Sequence, residues 1–161
     1  MNVLGIDFGN VVIDHLTFGT TPEFIDTGDY RTIPPVPDSL EIIADLEKKF
    51  GANIFIVYNA NQVADAKIHS WLDYHHFFKR TRISPDQVIR TNQGRNKRPL
   101  CSELHITHFV DDRLEVLTHL IGEVGNLYLF RPQKHEVEQH KNSLDKVILV
   151  DSWKEMWVHL A

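Results

Sequence analysis

The chain has 161 residues, which suits one domain with a core of its own. Its 17 Lys and Arg stand against 22 Asp and Glu; the net charge of -5 excludes a general nucleic-acid binder but leaves room for a locally basic pocket. A single cysteine, Cys101, excludes an intrachain disulfide, and with no secretory signal and no apolar run near the roughly 20 residues of a membrane span, the expectation is a cytoplasmic protein with no membrane partner.

Along the chain, short apolar strands alternate with helical patterns. The first strand, Asn2 to Ile6, runs into Asp7-Phe8-Gly9-Asn10. A carboxylate at a strand end, followed by a glycine turn, can act as a nucleophile or hold a cation. A polar stretch bearing Gly and Pro then covers Asp14 to Pro37. Asp38, with Glu41 three residues on, has the pattern of a capping box, and Leu40, Ile43, Leu46 and Phe50 recur at helical spacing before Gly51. The strand Asn53 to Val57 follows, ends in Tyr58-Asn59-Ala60-Asn61 and feeds a helix over Gln62 to Tyr74. Further helices are expected at Leu100 to Leu104, Leu114 to Ile121 and Trp153 to Leu160, and further strands at Thr107 to Val110, Asn126 to Phe130 and Val147 to Val150. No repeat or low-complexity tract interrupts them. Such alternation predicts an α/β three-layer sandwich with a mostly parallel central sheet, spanning residues 1–161 as a single domain.

In open α/β sheets, ligands bind beyond the carboxyl ends of the strands, where strand order reverses. Those ends carry Asp7, then Tyr58 and Asn59, then Asp111-Asp112-Arg113. Lys97, in the basic run 95–98, precedes the helix that leads into the Asp111 strand. Three carboxylates at one point repel one another and need a cation. An all-oxygen set favours a hard ion such as Mg²⁺. A lysine beside them offsets charge on a nucleophile and on a bound anion, and the turn at Asn59 to Gln62 offers amide donors to phosphate oxygens. Carboxylates, cation, lysine and amides together suit phosphoryl transfer.

These segments, in this order, resemble the haloacid dehalogenase (HAD) superfamily. Its pattern is an apolar strand ending in a nucleophilic Asp, a second strand ending in Ser or Thr, a Lys, and a strand ending in paired acids. Asp7 matches the first motif, Ile54 to Asn59 the second and Lys97 the third. His108-Phe109-Val110-Asp111-Asp112-Arg113 matches the fourth and is the most specific of the set. The resemblance implies a HAD-like Rossmannoid fold and a Mg²⁺-dependent, phosphatase-like hydrolase acting on a phosphorylated small-molecule or macromolecular substrate. It implies that Asp7 attacks phosphorus and that Lys97 bridges the nucleophile and the phosphoryl group. It further implies that Asp7, Gly9, Asp111 and Asp112 surround the Mg²⁺, and that Tyr58, Asn59 and Lys97 line the phosphate site.

The chain departs from that pattern at two positions. Gly9 stands where HAD phosphatases usually carry a second Asp as general acid and base, a role typically worth about 10²–10⁴ in rate. Tyr58 stands where Ser or Thr would present a short hydroxyl to phosphate. Asp14 and His15 follow closely enough to be considered as substitutes for the missing acid. A catalytically degenerate domain that binds a phosphorylated ligand or a protein, and a dehalogenase-type hydrolase, remain alternatives. From Asp7 to Tyr58 there are 51 positions and from Tyr58 to Lys97 there are 39, too few for a large cap domain. Water exclusion then falls to the Asp14 to Pro37 segment, a second copy in a homo-oligomer, or a bulky substrate. Of the acid pair, one member is expected to cap the following helix and the other to face the site. His135 and His140 miss the HExxH zinc spacing by one residue, so no zinc site is read there. Trp71, Phe77, Phe78, Trp153 and Trp157 read as core or interface anchors.

Overall fold

A computed structural model of the chain describes residues 1–91, 94 and 96–161; Arg95 of the basic run lies outside the described residues, as do Asn92 and Gln93. Six strands form one sheet: β1 (Leu4–Ile6), β2 (Ile54–Asn59), β3 (Val88–Thr91), β4 (His108–Asp111), β5 (Asn126–Phe130) and β6 (Ile148–Val150). Their order is β3-β2-β1-β4-β5-β6 and every pairing is parallel. The chain therefore builds outward from β1 to β3, crosses back, and builds outward again from β4 to β6. At the reversal β1 and β4 lie side by side with Ile6 opposite Val110. One residue further on, the Asp7 backbone N–H still donates to the Val110 carbonyl at 2.9 Å.

Successive side chains of a strand point to opposite faces, and both faces of this sheet are covered. On one face Leu4, Ile6, Ile54 and Ile56 pack with buried residues of α3 (Ser39–Phe50), α4 (Gln62–Tyr74), α5 (Phe77–Thr81) and α9 (Trp153–Leu160). On the other, Val57, Phe109, Leu127 and Leu129 pack with Cys101 of α6 (Arg98–Glu103) and with Leu114 and Leu117 of α7 (Leu114–Thr118). Two short helices, α1 (His15–Phe18) and α2 (Pro22–Thr27), lie between β1 and α3, and α8 (Lys134–Gln139) lies between β5 and β6. This is the expected three-layer sandwich, without a large cap domain. Among the described residues no helix is long and apolar enough to cross a membrane.

Several local expectations are corrected. The segment β3 was not foreseen: it is a four-residue edge strand whose Val88 and Ile89 are only partly buried, so its apolar signal is weak. The second strand does not stop at Val57 but carries Tyr58 and Asn59 within it. The polar stretch before α3 is not featureless. Asp14 Oδ1 accepts from the Thr17 N–H at 3.0 Å and Thr21 Oγ1 from the Phe24 N–H at 3.2 Å, so each short helix has its own cap. The helix after Asp38 begins where expected, but Asp38 sits at φ 64° and its side chain makes no capping bond. The helix expected to reach Ile121 ends at Thr118, because the chain turns there, through Gly122 at φ 85°, to enter β5.

Two indoles fix the segment around the first strand's exit. Trp71 and Trp153 are fully buried, and their ring N–H groups donate to the carbonyls of Ile33 at 2.8 Å and Val11 at 2.7 Å. Phe77 is also fully buried, whereas Trp157 is 37% exposed on α9 and anchors no core. In the middle of β1, a Cβ on Gly5 would lie 2.5 Å from Cδ2 of Phe109 and 2.9 Å from Cδ1 of Ile106. Gly5→Ala is therefore expected to destabilise the fold by about 1–3 kcal/mol, read as a lowered urea midpoint with the slope unchanged. Pairing it with Phe109→Leu should recover part of the loss; a neutral Gly5→Ala would contradict the close packing of β1 on β4.

Candidate active site

The strand reversal brings Asp7, Asp111 and Asp112 together, and a lysine from a distant loop enters between them. Lys97 immediately precedes α6 and is 3% exposed. Its ammonium donates to Asp7 Oδ1 at 2.7 Å, Asp111 Oδ2 at 3.0 Å and the Val57 carbonyl at 3.2 Å. Three acceptors use all three protons of the ammonium. The other oxygen of Asp111 accepts the Arg113 N–H at 3.0 Å. Asp112 Oδ2 accepts from Asn10 Nδ2 at 3.4 Å, and Asn10 Oδ1 in turn accepts the Leu16 N–H at 3.0 Å, tying the site to α1. The sequence reading did not single out Asn10. Its signal is its place in the turn after Gly9, at φ 58°, a conformation that asparagine tolerates better than most residues.

Charge in this cluster does not balance. Burial, and then the neighbouring Asp111, raise the Asp7 carboxyl to about 6 even though Lys97 pulls it down. Burial, Asp111 and Asp7 together push Asp112 well above the ordinary carboxylate range. Burial alone would lower Lys97, but Asp111 and Asp7 outweigh it and hold the ammonium above its ordinary value. One lysine thus faces three carboxylates whose oxygens lie within 4.8 Å of one another. An all-oxygen donor set with an excess of negative charge fits a hard divalent cation. Gly9 lines the cavity beside them.

That cavity, about 380 Å³, opens over Asp7, Lys97, Asp111 and Asp112. Its far wall is made by His15, Ile25 and Tyr30 of the segment after β1, and by Ala64, Lys67 and Ile68 of α4. The covering segment is tied down on both sides. His75 on the α4 side makes a 2.8 Å contact with the Arg31 carbonyl, and the Lys67 ammonium donates to the Ile25 carbonyl. Arg131, beyond β5, donates to Thr17 Oγ1 at 2.9 Å and to Asp14 Oδ1 at 3.4 Å. Asp14 is thereby occupied as a cap and ion-pair partner and does not line the cavity; His15 does.

Tyr58 and Asn59 reach the cavity wall with their polar groups already engaged. The Tyr58 hydroxyl donates to Asp65 Oδ1 of α4 at 2.5 Å, and its ring packs 6.1 Å from that of Phe8. With its O and N assigned to satisfy both, the Asn59 amide donates to the Thr91 carbonyl at 2.8 Å. Asn61 Oδ1 caps α4 through the Ala64 N–H at 2.9 Å. Neither member of the acid pair caps α7. That role belongs to Glu136, buried and distant in sequence, whose two oxygens accept the Leu114 N–H at 2.9 Å and the Glu115 N–H at 2.7 Å. The Asp111 and Asp112 carboxylates are left to the site.

No sequence-family model matches the chain, and no curated protein sequence does. Its structure is similar to a solved structure from Burkholderia xenovorans LB400 described as a haloacid dehalogenase-like hydrolase. The TM-score is 0.62 at 11% identity, over 96% of this chain and 94% of that one. It is also similar to part of DsGPDH of Dunaliella salina, with a TM-score of 0.52 at 16% identity, over 80% of this chain and 24% of that one.

Two measurements test the charge imbalance. A carboxylate whose folded pKa is raised favours the fold most below its ordinary value of 3.8 and least above the raised one. Metal-free protein should therefore lose stability as pH rises through about 6, the value for Asp7. Asp112→Asn should raise its thermal midpoint at pH 7 by on the order of 1 kcal/mol, about 2–4 °C. If a divalent cation such as added Mg²⁺ occupies these carboxylates, it should raise the midpoint of the wild type and do so far less in Asp112→Asn. An unchanged midpoint in Asp112→Asn would show that the three acids do not repel as described.

Proposed function

We propose, on the HAD-like fold that this chain has, that the protein is a Mg²⁺-dependent hydrolase of phosphorylated substrates with Asp7 as its nucleophile. The observation that carries this reading is the buried Lys97 ammonium shared between Asp7 and Asp111 at the strand reversal. A carboxylate held there is oriented rather than capping a helix. Lys97 holds it ionised by opposing the push of its neighbours, and the cavity it faces is large enough for a phosphoryl group and a small leaving group.

In the proposed reaction one oxygen of Asp7 attacks phosphorus in line with the leaving oxygen. A P–O bond to the leaving group breaks as the aspartyl-phosphate bond forms, and water then attacks phosphorus to release phosphate and regenerate Asp7. Lys97 stabilises charge on the phosphoryl oxygens during both displacements. The amides of Asn61 and Gln62, where α4 begins, would supply further donors. Asp7, Asp111, Asp112 and the Gly9 carbonyl would hold the divalent cation. When bound, that ion supplies charge stabilisation at the reacting phosphoryl group.

Gly9 supports a narrower version of the same reading. It has no side chain to protonate a leaving oxygen, so substrates whose leaving group departs as a stable anion are favoured. Such groups include an aryl oxide, a carboxylate or a phosphate. The same absence favours a second reading, in which the site binds a phosphorylated ligand without turning it over.

Hydrolysis of p-nitrophenyl phosphate and acetyl phosphate with Mg²⁺, in wild type and Asp7→Asn, separates the two. The expected outcome is turnover in the wild type and a loss of at least about 10³-fold in Asp7→Asn. Activity surviving in Asp7→Asn removes the nucleophile. Mg²⁺ binding with no turnover on either compound favours the binding reading. A Cβ on Gly9 would meet no heavy atom within 4 Å. Gly9→Asp is expected to raise the rate on alkyl phosphates by up to about 10²-fold and to change p-nitrophenyl phosphate hydrolysis little.

A further inference from the structure

Among the described residues lining the cavity, the titratable side chains outside the acid–lysine cluster can be sorted by what they already do. Arg113 cannot give up its proton, and Lys67 is directed to the Ile25 carbonyl. Tyr58 donates to Asp65. His15 and Tyr30 remain, both contributed by the covering segment, with the Tyr30 hydroxyl 3.2 Å from His15 Nε2 and Thr20 Oγ1 3.3 Å from His15 Nδ1.

We propose that Tyr30 and His15 form the general base of the second half of the reaction, the hydrolysis of the aspartyl-phosphate. With Nδ1–H directed at Thr20, His15 Nε2 accepts the Tyr30 hydroxyl proton. The attacking water gives one proton to the Tyr30 oxygen while Tyr30 passes its own to Nε2. The water oxygen bonds to phosphorus, the P–O bond to Asp7 breaks, and its electron pair returns to the Asp7 carboxylate. The products are phosphate, neutral Tyr30 and an imidazolium that releases its proton to solvent. This inference rests on the aspartyl-phosphate reading above and supplies the base that Gly9 cannot.

The surroundings of the pair suit this role. Burial keeps the His15 imidazole below its ordinary value of 6.5 and therefore neutral, although Asp14 pulls the other way. Asp14 is itself paired with Arg131, which limits that pull. Burial also keeps the Tyr30 hydroxyl protonated, so the relay starts with its proton in place. Lys67 of α4 also lines the cavity, with its ammonium directed to the Ile25 carbonyl. A neutral imidazole is a good base and a poor acid. It serves hydrolysis of the intermediate and leaves the first step dependent on the leaving group.

Rapid-quench and burst kinetics with p-nitrophenyl phosphate and Mg²⁺ test this in wild type, His15→Asn and Tyr30→Phe. Tyr30→Phe keeps the ring in the wall and guards against misfolding of the histidine variant. The expected result is nitrophenolate release in the first turnover within about 3-fold of wild type, dephosphorylation slowed about 10²-fold, and phosphoenzyme trapped on Asp7. Wild-type dephosphorylation should fall as pH drops below the His15 value, and that limb should vanish in both variants. In His15→Ala, added imidazole should restore part of the rate. Both variants dephosphorylating at the wild-type rate, or a slowed rate that keeps the acid limb and ignores imidazole, overturns the proposal while leaving Asp7 as nucleophile. An absence of any Asp7 adduct in wild type and variants alike overturns the phosphatase reading itself, and this proposal with it.

Discussion

The Lys97 ammonium is the interaction on which the rest of the site depends. It reaches two carboxylates and a strand carbonyl from one buried position, joining the ends of β1 and β4 to the loop before α6. A buried ion pair contributes little net stability when it is complete, but its removal leaves an uncompensated charge. Here it is complete for Asp7 and Asp111 and incomplete for the cluster as a whole. Asp112 lies outside that pairing: burial, Asp111 and Asp7 push its carboxyl well above the ordinary range, and Asn10 donates to it at 3.4 Å. The clustering of acids is thus a consequence of where the sheet reverses, since reversal is what brings two acidic strand ends against a third carboxylate.

The covering segment decides what can reach that cluster. Residues 14–37 are too short for a domain, yet α1, α2 and the turn at Tyr30 are pinned to α4 through Trp71, His75 and Lys67, and to the end of β5 through Arg131. They wall off a cavity of about 380 Å³. Of the three sources of water exclusion considered from the sequence, the segment from Asp14 to Pro37 contributes His15, Ile25 and Tyr30 to the cavity wall. The same segment places His15 in the wall and engages the buried Asp14 with Thr17 and Arg131 instead. Two adjacent residues in sequence have therefore been given unrelated tasks.

Much of the fold was legible because hydrophobic period is local. Leu40, Ile43, Leu46 and Phe50 declare a helix, and strands buried on both faces declare themselves by short unbroken apolar runs. The failures share a cause. Val88–Thr91 is half exposed at the sheet edge, and its place as a strand comes from β2 beside it rather than from its own residues. Asp38 matches a capping box, but the chain enters α3 through a left-handed residue and the carboxylate points elsewhere. The cap of α7 comes from Glu136, more than twenty positions away, and no local pattern could announce it.

What the sequence determined by itself was the set of acids at the strand ends, Asp7, Asp111 and Asp112, and the absence of a side chain at Gly9. These follow from chain order and period alone, because a parallel strand delivers its last residues to the same sheet edge as its neighbours. Only the tertiary structure decided which oxygens the lysine holds, that Tyr58 gives its proton to Asp65, and that His15 faces the cavity while Asp14 leaves it. Those outcomes depend on hydrogen bonds between residues seven to more than one hundred positions apart. Each partner is chosen by packing, because a buried donor or acceptor must be satisfied by whatever the fold brings within reach.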